Sequence, residues 1–269
     1  MTTYKHFASL YDDLMENAPY EEWSRWLLEA IDEYANSPYP KILDVGCGTG
    51  TILSHLLTKG YDVQGIDRSE NMLAVAQHKL NKQGFHPLLL CQDMRYLELT
   101  SSYEVIYLFC DTLNYLVTEE DILQAFRSCY QHLDEGGLLV FDVHSMNYVE
   151  NTLQGVSFAD AAENVSYIWN TFAGQARGEV EQELTFFVER EEALYERFDE
   201  YHLQRTFPVE HYKAWLSESS FITLGVFADF SFHPPDEDSD RVFFVAKKLS
   251  NHKKKGYNKK TGNPSFYKR

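Results

Sequence analysis

Asp44 stands two residues before three alternating glycines, Gly46, Gly48 and Gly50, in KILDVGCGTG at residues 41–50. An apolar run that ends in an acid, breaks into glycines and resumes as TILSHLL (51–57) reads as a buried parallel strand turning into a helix. Glycine removes Cβ atoms where the backbone must bend and lie close to a ligand, and the helix start offers unpaired N–H groups there. That combination predicts a nucleotide site. Twenty-one residues after Gly46, Asp67 ends the alternating strand of YDVQGIDRS. An acid at the tip of a second strand could accept both hydroxyls of a ribose. A dinucleotide fingerprint, G-x-G-x-x-G/A, would place its third small residue at Thr51, so the spacing is off by one. Asp44 would repel a pyrophosphate and attract a ligand carrying an ammonium and a sulfonium. No Gly-Lys-Ser/Thr follows the glycines, so a Walker phosphate loop is absent.

These residues need a sheet to hold them. Beyond the first two strands, the pattern predicts strands at 87–91, 104–109, 138–143, 221–230 and 241–247, alternating with helices at 20–35, after Ser69, after Thr118 and at 208–216. Residues 8–16 read as a further short helix. In open α/β sheets ligands bind beyond the carboxyl ends of the strands, which makes Cys110–Tyr115, after the fourth strand, the expected catalytic edge. His144 ends the fifth strand on the same edge. Between 156 and 206 the pattern changes: Val180, Gln182, Leu184, Phe186 and Val188 alternate with Glu179, Glu181, Glu183 and Glu189, predicting an antiparallel meander.

Composition bounds the ligands. A chain of 269 residues with 44% hydrophobic and 15% aromatic content can bury a substantial core. The formal charge is −17, but residues 250–269 hold six Lys and one Arg without an acid, leaving 17 basic against 41 acidic groups, or −24, in residues 1–249. Such a body repels a phosphate backbone, so no nucleic-acid substrate is expected. Cys47, Cys91, Cys110 and Cys129 lack C-x-x-C spacing, which predicts buried free thiols, no disulfide and no metal site. With neither a signal-like N-terminus nor about 18 consecutive apolar residues, a soluble cytoplasmic protein away from membranes is expected.

ILDVGCGTG together with YDVQGIDRS resembles the first two motifs of the class I S-adenosylmethionine-dependent methyltransferases, and FCDTLNYL and LDEGGLLVFDVHS resemble their later ones. The layout over residues 1 to about 248 is similar to bacterial small-molecule enzymes related to glycine and sugar-amine N-methyltransferases, and FASLYDDLM suggests the YqeM-like branch. The resemblance implies an α/β, Rossmann-like seven-stranded sheet in the order 3-2-1-4-5-7-6, with strand 7 antiparallel and an antiparallel β lid inserted after strand 5. It divides the chain into a core at 1–155 and 207–249, a lid at 156–206 and a basic tail at 250–269, expected to be disordered. It also implies S-adenosylmethionine as cofactor, with Asp44, Gly46, Cys47, Gly48, Gly50, Asp67, Arg68, Met72, Asp93, Met94 and Cys110 around it. Within that set Asp93 would accept the adenine amino group and Met94 would face the ring, while an N-cap for RYLEL is the plainer role of Asp93.

The implied reaction is methyl transfer to a small-molecule acceptor at nitrogen or oxygen, by a monomer or homodimer. Asp111, Tyr115, His144 or His202 could take a proton from an amine acceptor. Tyr11, a further catalytic candidate, belongs with Tyr4 to the N-terminal segment that the family folds over the cofactor. The lid, leaving the sheet after strand five, is expected to serve the acceptor rather than the cofactor. On its third strand Tyr195, Arg197, Tyr201, Leu203 and Arg205 share one face, from which Arg205 could clamp an acidic group or form a domain-joining salt bridge. The competing readings are an NAD-binding oxidoreductase, since Asp67 suits either ribose, a cofactor-binding regulatory protein without methyl transfer and, less so, an RNA methyltransferase.

Overall fold

A computed structural model describes residues 11–12, 15, 18–161, 165–190 and 194–249; Tyr4 and the basic tail lie outside them. The first helix described from end to end is α1 (Tyr20–Tyr34), whose stripe of Trp23, Trp26, Leu27, Ala30 and Ile31 is buried as its period of 3.6 requires. Trp26 lies stacked on Phe232, with ring centroids 5.1 Å apart, and meets Phe243 at 4.4 Å. Then follow β1 (Lys41–Val45), α2 (Thr51–Thr58), β2 (Asp62–Asp67), α3 (Glu70–Lys82), β3 (Leu89–Cys91), β4 (Tyr103–Leu108), α4 (Glu119–His132) and β5 (Leu133–His144). After an inserted sheet the core resumes with α5 (Val209–Glu218) and two last strands, Phe221–Ala228 and Arg241–Lys248.

With the four inserted strands numbered β6 to β9, these last two become β10 and β11. The main sheet then runs β3-β2-β1-β4-β5-β11-β10, and β11 is antiparallel to both neighbours. This is the expected order, strand for strand. Along β5 the side chains alternate between two cores: Leu139, Phe141 and Val143 enter one, Leu138 and Val140 the other. A strand buried on both faces reads as a continuous apolar run, which is why LLVFDV shows no polar alternation.

Some boundaries differ from the sequence reading. Strand five begins at Leu133, because Leu133 already pairs with Tyr103. RYLEL forms no helix, since Ser128 Oγ accepts from Leu97 N (2.9 Å) and His132 Nε2 from Leu99 N (3.3 Å). With those N–H groups satisfied by α4, the segment stays irregular. Cys91 is exposed, not buried, because it ends a short edge strand; all four cysteines are free thiols.

The inserted sheet is antiparallel, in the order β6 (Ser157–Ala161), β7 (Val165–Ala173), β8 (Glu179–Glu189), β9 (Tyr195–Arg205). A π-helical turn at Tyr148–Leu153 leads into it. Val180, Gln182, Phe186 and Val188 of β8 are buried, as the alternation predicts. On β9 the inward face is Phe198, Glu200, His202 and Gln204, and the face carrying Tyr195, Arg197, Tyr201, Leu203 and Arg205 points outward. Period two defines the two faces but not which one is buried; the register Gln182↔His202 and Phe186↔Phe198 decides it by joining the even residues to the apolar face of β8.

Candidate active site

The glycine loop is pinned to the tip of β2. Gly46 N and Cys47 N both donate to Ile66 O, at 2.7 and 2.9 Å. The Asp67 carboxylate accepts from Gly48 N at 2.9 Å and from Ser69 N at 2.8 Å. Burial pushes the Asp67 carboxyl up, and these N–H bonds oppose that. Gly46 has φ +83°, and a Cβ there would stand 2.3 Å from Thr112 Cγ2, so the turn after β4 packs directly on a glycine surface. At Gly48, φ +52°, a Cβ would meet nothing within 4 Å. The loop is therefore closed toward β4 and open at Gly48. Asp44 is only 4% exposed, and among the described residues no Lys or Arg forms an ion pair with it.

Asp12 is bonded to the end of this loop. Asp12 accepts from Thr49 Oγ1 and from Lys79 Nζ (2.7 Å), and Lys79 also reaches Thr51 Oγ1 at 2.9 Å. These bonds tie Asp12 to the start of α2 and to the last turn of α3. Next to Asp12, the partly buried Tyr11 lies beside Tyr20 and Cys110, and desolvation pushes its phenol well up.

On the catalytic edge a buried polar network joins core and insertion. Arg241, at the start of β11, pairs with Asp142 of β5 and lies 3.3 Å from Asp111 Oδ1. His144 Nε2 is 3.6 Å from the same Asp111 oxygen, and Gln204 Nε2 of β9 donates to Asp111 Oδ2 at 2.9 Å. Burial alone would raise the Asp111 carboxyl; His144, Arg241 and Gln204 outweigh it and hold the group well below the usual carboxylate range. Cys110 and Asp111 both have positive φ, 57° and 52°, a costly pair of left-handed residues. Asn114, 1% exposed, braces the turn by donating to Arg205 O (2.8 Å) and accepting from His144 N (3.1 Å). Tyr115 Oη meets His202 Nδ1 at 3.2 Å. Burial pulls the His202 pKa down, while Asp111 opposes the shift. His144 also borders a cleft of about 540 Å³ between β5, the first turn of α5 and residues 234–237.

Residues 42–137 match the methyltransferase domain family. YqeM of Bacillus subtilis (strain 168), designated a methyltransferase, is 43% identical over 249 residues, covering 91% of this chain and 97% of the relative. This chain is a YqeM-like S-adenosylmethionine-dependent methyltransferase. A solved S-adenosylmethionine-dependent methyltransferase from Clostridium acetobutylicum superposes with a TM-score of 0.82 at 29% identity, covering 92% of this chain and 99% of the other. CalS10 of Micromonospora echinaspora, an amino pentose methyltransferase, shares the fold at 21% identity, with a TM-score of 0.70 over 89% and 97% of the two chains.

The residues of the methyltransferase fit its cofactor. A buried carboxylate without a cation, Asp44, suits an ammonium or sulfonium; Asp67 offers acceptors to a ribose; Gly48, bonded to Asp67, leaves open space there. Desolvation, helped by Asp67 and opposed by the Tyr107 hydroxyl, pushes the Asp44 carboxyl up to about 8. Between its unfolded value of 3.8 and that pH the folded state holds a proton that the unfolded chain has lost, so this group's contribution to stability falls as pH rises through the window. Asp44→Asn is therefore expected to make the ligand-free protein more stable at pH 8 by about 1 kcal/mol or more, to match wild type near pH 4, and to bind cofactor more weakly. Urea unfolding at the two pH values, with calorimetric titration, reads all three; a less stable variant at pH 8 would contradict the assignment.

The other expected site residues are distributed as follows. Asp111, Tyr115, His144 and His202 gather on the catalytic edge, with Tyr11 and Cys110 adjoining. Cys47 is buried in the loop and Gly50, φ +75°, opens α2. Both Asp93 oxygens are held by Arg95, which lowers the carboxyl and ties it to Asp121 of α4. Met94 packs on the core, and Arg68 is exposed. Met72 and Tyr11 pack against Val165, Phe186, Val188 and Phe198 of the inserted sheet. Arg205 departs from expectation: its guanidinium donates to Val117 O (3.0 Å) and Arg177 O (3.3 Å) and lies over Phe207. It ties the end of β9 to the loop before α4 and to the turn between β7 and β8 through carbonyls rather than a salt bridge. The sequence reading missed Asp12, Lys79, Asp142, Gln204 and Arg241, and placed Asn114 on the expected catalytic edge without a role. A lone acid inside LLVFDV and an arginine opening RVFFVA were the available signals for the buried pair.

Proposed function

We propose that this methyltransferase methylates a small-molecule acceptor at a nitrogen or oxygen nucleophile, enclosed between the turn after β4 and an inserted sheet that serves as its lid. The observation that carries this reading is the fastening of β9 onto the catalytic edge at three places, Gln204 on Asp111, His202 on Tyr115 and the Arg205 carbonyl on Asn114. A roofed site suits a molecule that can be enclosed, not a polymer lying across a surface. CalS10, an amino pentose methyltransferase, shares the arrangement of the fold and supports the same class of acceptor.

When bound, the sulfonium supplies an activated methyl group. The chain's own contribution is to align the acceptor and exclude water, and alignment supplies at most about 7–11 kcal/mol of the barrier. Asp44 and Asp67 would hold the cofactor from the loop side. His202, kept neutral by burial, can accept a proton from an arriving amine, and the ionised Asp111 stabilises the imidazolium that results. Incubation with methyl-labelled cofactor and a fractionated bacterial extract tests the reading. Label is expected in the small-molecule filtrate. Label confined to the RNA or protein fraction would overturn it.

A further inference from the structure

One row of side chains crosses the lid's inner face: Phe158, Trp169, Leu184 and Glu200 are register partners on β6, β7, β8 and β9. Directly opposed residues of an antiparallel sheet project to the same side. Glu200 is 5% exposed, its Oε1 has no hydrogen-bond partner, and among the described residues no Lys or Arg forms an ion pair with it. Trp169 Nε1, in the same row, is also buried without a partner. Buried polar groups are nearly always paired, so a carboxylate and an N–H donor left open on one face need an explanation.

Their position supplies one. Two residues along β9, His202 faces Tyr115 on the catalytic edge; two residues the other way, Phe198 packs with Tyr11 and Met72. Each step is about 7 Å along the strand. Glu200 thus stands between the catalytic edge and the cofactor-side cluster.

We propose that Glu200 is the anchor for a protonated amine on the acceptor, with the Trp169 indole N–H, two strands across on the same row, binding an oxygen of the same molecule. The proposal rests on the small-molecule methyl-transfer reading and narrows its substrate to a compact cationic amine bearing hydroxyl or carbonyl oxygens. An ammonium is the complement of a single buried carboxylate, since its charge offsets the desolvation of the acid and its N–H groups fill the open lone pairs. A hard metal ion would need several oxygens, and this row offers one carboxylate. Burial also pushes the Glu200 carboxyl up, the expected state of an acid whose cation arrives with the ligand.

The test compares wild type with Glu200→Gln, which keeps the shape and removes the charge. S-adenosylhomocysteine affinity should stay within twofold. The ligand-free melting temperature should rise by about 2–4 °C, because a buried charge without a partner is removed. With methyl-labelled cofactor and a bacterial metabolite extract split by cation exchange, label should enter the retained, cationic pool, and Glu200→Gln should cut that transfer at least tenfold. Trp169→Phe should cut it severalfold. Label in the neutral or anionic pool alone, undiminished transfer by Glu200→Gln, or a melting temperature lowered by the substitution would each overturn the anchor. Label in the neutral pool leaves the methyl-transfer reading standing. Cofactor binding with no label in any small-molecule pool sinks that reading, and the anchor with it.

Discussion

Asp67→Ala is expected to weaken binding of both S-adenosylmethionine and S-adenosylhomocysteine at least tenfold. Hydrogen bonds to a charged group contribute about 1.5–3 kcal/mol each, so even one lost ribose contact reaches about a factor of ten. The structure adds a second reason. The same carboxylate holds Gly48 N and Ser69 N, so its removal also frees the loop at the one glycine that borders open space. Asp67→Asn keeps one acceptor oxygen and should fall between wild type and alanine. Calorimetric titration decides, and an unchanged affinity for Asp67→Ala would mean that the tip of β2 does not contact the ribose.

Arg241→Met should cost about 3–5 kcal/mol of stability, the usual penalty for removing one member of a buried ion pair. Asp142 is wholly buried and Asp111 partly so, and both depend on this guanidinium. Burial pushes the Asp142 carboxyl up while Arg241 and His144 oppose it, so loss of the arginine raises it further. Asp111 works with the opposite sign. Its folded pKa is depressed, so the stability it contributes is present above its unfolded value of 3.8 and is lost as pH falls through the folded value. In Arg241→Met that depression shrinks, and the variant's deficit should be largest at neutral pH and smaller at pH 4. Adding Asp142→Asn should recover part of the loss by removing the orphaned charge. Urea unfolding of the three proteins measures this, and a single-variant loss below 1 kcal/mol would show that solvent reaches the pair.

The sheet order and the glycine loop were legible because they depend on local rules. A buried parallel strand needs a continuous apolar run, and the turn after β1 needs glycines where Thr112 packs at Gly46 and the chain turns left-handed at Gly50. The orientation of β9 was not legible, because alternation is symmetric and only pairing with β8 chooses the buried side. The same limit hid the network around Asp111. Its members come from the turn after β4, the end of β5, β9 and the start of β11, and no spacing in the sequence brings four such segments together. RYLEL failed as a helix for a related reason, since side chains of α4 outcompeted local propensity for its N–H groups.

The position of β11 between β5 and β10 also sets an order of events during synthesis. Arg241 follows Asp142 by 99 residues, so at roughly 5–20 residues per second the ribosome delivers the guanidinium about 5–20 s after the acid. Throughout that interval β5 is an open edge of the nascent sheet, and a carboxylate destined for burial stands on it without its cation. That charge disfavours early closure and edge-to-edge association of incomplete chains. An acid that is a burden to the finished core thus protects the chain while it is being made.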